Sequence, residues 1–82
     1  MPFVIIWSEQ AQKDLSKLEK HVAERIIDKI EYANQAGLLR LEKVVGRNFY
    51  KYRVGDYRLF IDKRLADAIE IIAIRERENA YD

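Results

Sequence analysis

Three basic side chains in the middle of the sequence, Lys51, Arg53 and Arg58, have the spacing needed to act together on an anion. They flank Gly55-Asp56, a two-residue signal for a β-hairpin turn. In that register Arg53 lies directly opposite Arg58, and Lys51 shares their face because side chains alternate along a strand. Opposed like charges destabilise a sheet, and an anion such as a phosphate would relieve the repulsion. The alternative is a solvated basic face whose long side chains splay apart.

The net charge of the whole chain hides this basic segment. The 82 residues carry 15 basic and 14 acidic side chains, a net charge of +1 with the histidine neutral. Residues 40–64 alone hold eight basic and three acidic side chains, so the basic excess belongs to the hairpin region. The one histidine, His21, is expected in a turn between two helices, far from the sheet. Because cysteine is absent, disulfides, thiolate metal sites and cysteine nucleophiles are excluded.

The elements that position these side chains are predicted from the apolar pattern. Residues 1–7 form an apolar run that predicts a strand buried on both faces. Ser8 is a good helix N-cap, and apolar residues recur at helical spacing over residues 11–33, with a break expected at Lys20-His21. Gly37 is expected to end the second helix. These features predict a helical hairpin with one apolar face.

The second half of the sequence has the pattern of strands. The predicted segments are a connector with room for a short strand, two hairpin strands, a loop, a last apolar strand and a polar tail: residues 38–45, 49–54, 57–62, 63–67, 68–74 and 75–82. We therefore predict one α+β domain over residues 1–82, in the order β-α-α-β-β-β. Its small, mostly antiparallel sheet carries the helical hairpin on one face. The first strand must join this sheet, because a lone strand would leave its backbone groups unpaired.

Alternation divides the hairpin side chains between two faces. The face expected to pack against the helices carries the apolar and tyrosine side chains: Tyr50, Tyr52, Val54, Tyr57, Leu59 and Ile61. The other face carries Phe49 and Phe60 beside the basic residues, and one of these phenylalanines is expected to be exposed.

Three segments of the chain occur in the order and spacing of a known superfamily. They are Trp7-Ser8 with Ala11, Asp14-Leu15 and Leu18; the hairpin from Tyr50 to Leu59; and Arg75-Glu76-Arg77 with Tyr81. The sequence resembles the RelE/ParE superfamily of bacterial and archaeal toxins, the toxic halves of toxin–antitoxin pairs. The resemblance extends over nearly the whole chain.

The resemblance implies one of two activities. RelE-like members are endoribonucleases that cut messenger RNA in the ribosomal A site, whereas ParE-like members poison DNA gyrase. Carried over by position, the RelE-like catalytic residues are Lys51, Arg53, Arg58, Arg75 and Tyr81, with Arg53 standing where lysine is common. Further RNA contacts are expected at Arg47, Phe60 and Arg77. ParE-like chains usually lack this full set, so the resemblance favours the nuclease. The alternatives are a ParE-like gyrase inhibitor and a homologue that binds an antitoxin but is no longer toxic.

The expected chemistry is attack of an RNA 2′-hydroxyl on the adjacent phosphate. Lys51 is the candidate base, because arginine stays protonated and is better suited to stabilising charge. Tyr81 would stack on a base or orient it. No metal and no cofactor are predicted. The implied partners are a cognate antitoxin, the ribosome and messenger RNA. The apolar run of residues 3–7 is far shorter than the ~20 residues that span a bilayer, so a cytoplasmic protein is expected.

Overall fold

The computed structural model describes residues 2–63 and 65–76. In chain order the elements are β1 (Val4–Trp7), α1 (Glu9–Ser16), α2 (Lys20–Gln35), β2 (Glu42–Lys43), β3 (Tyr50–Val54), β4 (Tyr57–Asp62) and β5 (Ala68–Glu76). The strands form one sheet in the order β1-β5-β4-β3-β2. Strand β1 pairs with β5 in parallel, and the other neighbours are antiparallel. The predicted α+β class, the mostly antiparallel sheet and the inclusion of the first strand are confirmed.

Strand β1 is covered on one face only. Phe3, Ile5 and Trp7 pack against the core, whereas the side chains of Val4 and Ile6 are 60% and 45% exposed. The prediction of a strand buried on both faces is wrong, because β1 lies at the edge of the sheet and the helices cover one face. Its continuous apolar run leaves an apolar strip on the outer face.

The helices separate at residues 17–19, earlier than predicted. Helix α1 ends at Ser16, and the extended backbone of Glu19 precedes α2. Leu18 within this turn and Val22 after it both pack against the core. The apolar spacing therefore runs unbroken through the reversal, which is why the pattern placed the break at Lys20-His21. No helix in the described part of the chain has the length and apolar character needed to cross a membrane.

Helix α2 ends where Gly37 predicts. Gly37 has a φ of 72°, a left-handed conformation that favours glycine. Its N–H donates to the carbonyl of Asn34 at 3.3 Å, and the N–H of Leu38 donates to the carbonyl of Ala33 at 2.8 Å. This pair of bonds is a Schellman motif, which satisfies carbonyls that the helix end leaves open.

The core lies between the two helices and the inner face of the sheet. Its largest fully buried side chains come from α2, β4 and β5: Ile26, Ile30, Leu59, Ile61, Ile69 and Ile71. One polar residue of α2, Asn34, is buried beside them at 6% exposure. Its Oδ1 accepts a hydrogen bond from the N–H of Phe3 at 2.9 Å, and its Nδ2 donates to the carbonyl of Phe3 at 2.8 Å. This amide therefore ties α2 to the residue that precedes β1.

Candidate functional site

The hairpin has the predicted register. Val54 pairs with Tyr57, Arg53 with Arg58 and Lys51 with Phe60. Gly55 supplies the one positive φ of the turn, 58°, as in a type II′ turn. Val54, Leu59 and Ile61 are buried, and Tyr50, Tyr52 and Tyr57 pack against the core, so this inner face is confirmed. The basic residues therefore share the outer face, away from the helices.

The opposed pair Arg53 and Arg58 is extended by a third arginine on β5, and the three form an arginine row. Arg58 pairs with Arg75, so Arg53, Arg58 and Arg75 are neighbours across three adjacent strands. The prediction that the last strand ends at Ile74 and that Arg75 follows it is wrong, because β5 extends to Glu76. Backbone hydrogen bonding to β4 does not require apolar side chains, so the pairing continues beyond the apolar run. Arg75 thereby joins the basic face as a strand residue.

A β-bulge at Ile72 determines the face on which Arg75 lies. Phe60 pairs with Ala73 and Ile61 with Ile71, which leaves Ile72 as the extra residue. Ile71 and Ile74 are both buried although they are three residues apart. In a regular strand this odd spacing would put them on opposite faces. The bulge thus restores Ile74 to the core and Arg75 to the outer face.

Asp14 of α1 binds the last arginine of the row. Its Oδ2 accepts hydrogen bonds from Nη1 of Arg75 and from the N–H of Ile74, both at 2.9 Å. Burial raises the pKa of Asp14, but hydrogen bonds from Ile74 and Gln10 and the charge of Arg75 outweigh it. The net result is a pKa below the ordinary value of 3.8. Asp14 therefore remains ionised and balances one of the three guanidinium charges.

Strand β1 ends at Trp7. Beyond it, the N-cap residue of α1 supplies hydrogen-bond partners for the edge of β5. The N–H of Ser8 donates to the carbonyl of Ile71 at 3.0 Å, and its Oγ donates to the carbonyl of Ile72 at 2.8 Å. The same Oγ accepts from the N–H of Ala11 at 3.0 Å, which confirms Ser8 as the N-cap. Ser8 and Asp14 together satisfy the backbone of the β5 edge next to the site.

The basic residues of the hairpin line one shallow cleft beside β3. Its lining residues are Arg40, Glu42, Lys51, Tyr52, Arg53 and Arg58. Arg53 is exposed and folds back so that its Nε donates to the carbonyl of Gly55 at 3.2 Å. The cleft brings together three of the predicted catalytic residues, and the fourth described one, Arg75, adjoins Arg58 in the sheet.

Three residues of this cleft, Arg40, Glu42 and Tyr52, were not predicted as site residues. Tyr52 was expected only on the face that packs against the helices. Glu42 pairs with Lys51 across β2 and β3, which places a carboxylate on the same face as the candidate base. Arg40 belongs to the basic segment that the charge count identifies, so composition was an available signal for it. For Glu42 there was none, because its position depends on the register of a two-residue strand.

The remaining predicted residues lie in different surroundings. The ring of Phe60 packs edge-to-face on that of Phe49, with centroids 5.7 Å apart, and both are half-buried rather than exposed. Arg47 is exposed in the connection between β2 and β3 and does not line the cleft. Arg77 and Tyr81 lie outside the described residues.

The histidine lies apart from this site. His21 is exposed in the first turn of α2, and its Nε2 is 3.6 Å from Glu19. It therefore belongs to the helix rather than to the preceding turn, and it does not line the cleft. Among residues 2–63 and 65–76, no three metal-ligating side chains form a group.

Solved structures of RelE/ParE-like toxins superimpose on this fold. The RelE of a RelB–RelE antitoxin–toxin complex from Methanococcus jannaschii is 29% identical, with a TM-score of 0.69 over 94% of this chain and 95% of that one. An arginine-substituted mutant of E. coli RelE in the free state is 21% identical, with a TM-score of 0.74 over 98% and 88% of the two chains. A YoeB/ParE toxin from Agrobacterium tumefaciens is 17% identical, with a TM-score of 0.61 over 90% and 98%.

The family is established by sequence. Residues 5–81 match the model of the ParE toxin of type II toxin–antitoxin systems, so the chain belongs to this family. None of the proteins of curated function matches the chain in sequence. The protein is therefore the toxin of a toxin–antitoxin system, which confirms the resemblance to the RelE/ParE superfamily.

Proposed function

We propose that this toxin is a ribosome-dependent endoribonuclease that cuts messenger RNA in the A site. The observation that carries the proposal is the gathering of Lys51, Arg53 and Arg58 on one open face of the sheet, in a single cleft with Arg40. Guanidinium groups bind phosphate through paired, charge-assisted hydrogen bonds. Arg53, Arg58 and Arg75 stand side by side on three neighbouring strands, an arrangement that suits the phosphate backbone of a single RNA strand.

The chemistry uses the nucleophile that RNA supplies. The 2′-oxygen loses its proton and bonds to the adjacent phosphorus as the bond from phosphorus to the 5′-oxygen breaks. The leaving 5′-oxygen takes a proton from water, so the products are a 2′,3′-cyclic phosphate and a 5′-hydroxyl. Lys51 is the candidate for taking the 2′-hydroxyl proton, and Arg53 and Arg58 stabilise the charge that develops on phosphorus. Arg75 adds a further guanidinium, and Tyr81 is assigned to stacking on a base by resemblance. The ribosome contributes the orientation of the message, which can supply several kcal/mol.

The partners follow from the same likeness. RelE from Methanococcus jannaschii and RelE from E. coli were each solved in complex with the antitoxin RelB. By analogy a cognate antitoxin binds this chain, and the toxin acts in the cytoplasm, where ribosomes translate. An antitoxin that supplies carboxylates would neutralise the arginine row, because the row is where like charges are most crowded.

Cell-free translation with mapping of the message ends tests the activity. The wild type is expected to cut the message within the A-site codon, and Arg58→Ala and Arg75→Ala are expected to lose this cleavage. Arg25→Ala is the matched control, because Arg25 is exposed on α2, outside the sheet. A message that stays intact with the wild-type protein, or is cut equally by Arg58→Ala, contradicts the nuclease.

The family match supports a second candidate. The matched family model describes the ParE toxin, and ParE-like members of the superfamily inhibit DNA gyrase without cutting RNA. A supercoiling assay with purified gyrase distinguishes the two, because inhibited supercoiling with an intact message favours the ParE-like activity. A folded protein that does neither would favour a homologue that binds an antitoxin but has lost its toxicity.

A further inference from the structure

A partly buried carboxylate holds the last arginine of the row from the helix side. Asp14 Oδ2 accepts from the N–H of Ile74 and from Nη1 of Arg75, and Gln10 Nε2 donates to Oδ1 at 2.9 Å. The side chain of Asp14 is 11% exposed, against 47% for that of Arg75. The carboxylate is thus fixed by its own hydrogen bonds, and the more exposed guanidinium is anchored to it.

These contacts use one nitrogen of the guanidinium. Nη1 of Arg75 donates to Asp14 and also to the carbonyl of Ile74 at 2.9 Å, which occupies both of its hydrogens. A guanidinium has five N–H donors, so Nε and Nη2 together keep three. Neither of these nitrogens donates to another described residue. The geometry therefore orients the group while leaving a two-nitrogen edge for a ligand.

We propose that Asp14 is a positioning residue that fixes Arg75 beside Arg58, so that Nε and Nη2 of Arg75 bind a phosphate of the RNA. This inference rests on the proposed function and adds a residue on α1 to a site otherwise built from the sheet. A long side chain that is already ordered does not have to be ordered when the ligand binds. Loss of this ordering is expected to weaken binding about 2- to 10-fold.

The direction in which RNA affinity changes when the Asp14 carboxylate is removed distinguishes a positioning role from mere proximity to the site. Asp14 is negatively charged, and a carboxylate that only lay near the site would repel phosphate. Its removal would then strengthen binding. A positioning role predicts weaker binding instead. Removal of the carboxylate makes the net charge more positive by one, but it also leaves the Arg75 guanidinium without the contact that orients it.

The test is the affinity of Asp14→Asn for a 2′-O-methyl RNA oligonucleotide, measured by fluorescence anisotropy at fixed salt. The methyl group blocks the nucleophile, so binding is read without cleavage. Asparagine keeps an oxygen that accepts from the N–H of Ile74, so the edge of β5 is preserved. The loss of the negative charge weakens the contact that holds the Arg75 guanidinium, because a charge-assisted bond is about twice as strong as a neutral one. Asp14→Asn is expected to bind about 2- to 10-fold more weakly than the wild type. In an Arg75→Ala background the same substitution is expected to change affinity less than 2-fold.

Two matched variants control for charge and for the strand edge. Asp28→Asn makes the same charge change at an exposed position of α2, and it is expected to bind at least as tightly as the wild type. Ser8→Ala removes the other side-chain contact to the β5 edge without touching Arg75, and its affinity is expected to stay within 2-fold of the wild type. These comparisons distinguish a role through Arg75 from a general effect on charge or stability.

The outcomes that overturn the inference are specific. Binding by Asp14→Asn as tight as that by Asp28→Asn overturns it, and so does an equal loss in the Arg75→Ala background. If the message stays uncut in cell-free translation while binding still depends on Asp14 through Arg75, the nuclease fails and the positioning role stands. A wild type that does not bind the oligonucleotide overturns the positioning inference, whereas the nuclease is decided by cleavage of the message on the ribosome.

Discussion

Arg53 and Arg58 lie directly opposite each other across the β3–β4 hairpin, on the face that the helices leave open. Opposed side chains in an antiparallel pair approach within about 4.5–5.5 Å at Cβ, so their charges repel. Arg75 continues the row on β5, where Asp14 binds it. The sheet thus keeps an unfavourable arrangement at the surface that we assign to RNA binding, as expected where function opposes stability.

Replacing Arg53 by glutamine is expected to stabilise the fold while weakening RNA binding. Removal of one opposed charge should raise the free energy of unfolding by roughly 0.2–1 kcal/mol. The gain should shrink at high salt because screening weakens the repulsion. Urea unfolding at low and high salt measures it. Arg53→Lys keeps the charge and should show no such gain, and a variant Arg53→Gln no more stable than Arg53→Lys at low salt contradicts the prediction.

The acid dependence of stability should depend on Asp14. Its pKa in the folded protein lies below the ordinary value that applies in the unfolded chain. The carboxylate therefore contributes stability that is fully present above the unfolded-state pKa and is lost as pH falls through the folded-state pKa. The wild type should lose stability below about pH 4, and Asp14→Asn should lose less over the same range. Chemical unfolding at a series of acidic pH values measures both slopes, and parallel slopes would refute the assignment.

Removal of the buried amide of Asn34 should destabilise the protein by about 2 kcal/mol, because it leaves the backbone N–H and carbonyl of Phe3 without their partner. Thermal or chemical unfolding of Asn34→Ala measures the loss. Gln35→Ala, the exposed neighbour in the same helix, is the control and should change stability by less than about 0.5 kcal/mol. Equal losses in the two variants would show that the amide bridge contributes little.

Ser8→Ala should cost about 1–2 kcal/mol, since one hydroxyl both caps α1 and donates to the β5 backbone. Ser16→Ala is the control, because the hydroxyl of Ser16 only donates to a carbonyl within the exposed end of the same helix. Equilibrium unfolding should place the two variants at least about 0.5 kcal/mol apart. A Ser8→Ala variant as stable as Ser16→Ala would indicate that the edge contact is dispensable.

The salt dependence of RNA binding should report the contribution of Arg58. Each phosphate that a protein neutralises on single-stranded nucleic acid adds about 0.7 to the slope of log affinity against log salt. Arg58→Ala should therefore lower the magnitude of this slope by about 0.7. Titrations of an oligonucleotide at several salt concentrations measure it, with Arg25→Ala on the exposed side of α2 as the control. An unchanged slope for Arg58→Ala would exclude a phosphate contact.

The hairpin could be predicted from the sequence because its turn determines its register. Once Gly55-Asp56 occupies the turn, the opposition of Arg53 and Arg58 follows by counting. The contact between Asp14 and Arg75 joins residues 61 apart in the chain, and no local pattern encodes it. The break between the helices was misplaced because apolar spacing continues through the turn. Likewise, the position of Glu42 depends on pairing with a strand of two residues.

The bulge at Ile72 makes the arginine row depend on the number of residues in β5 rather than on their chemistry. Another apolar side chain at this position would leave the row intact, whereas loss of the position would reverse the orientation of every residue after it. Ile74 would then turn toward solvent and Arg75 toward the helices. A single-codon deletion here would keep the strand apolar yet dismantle the basic face, so length is the property of this segment on which selection must act.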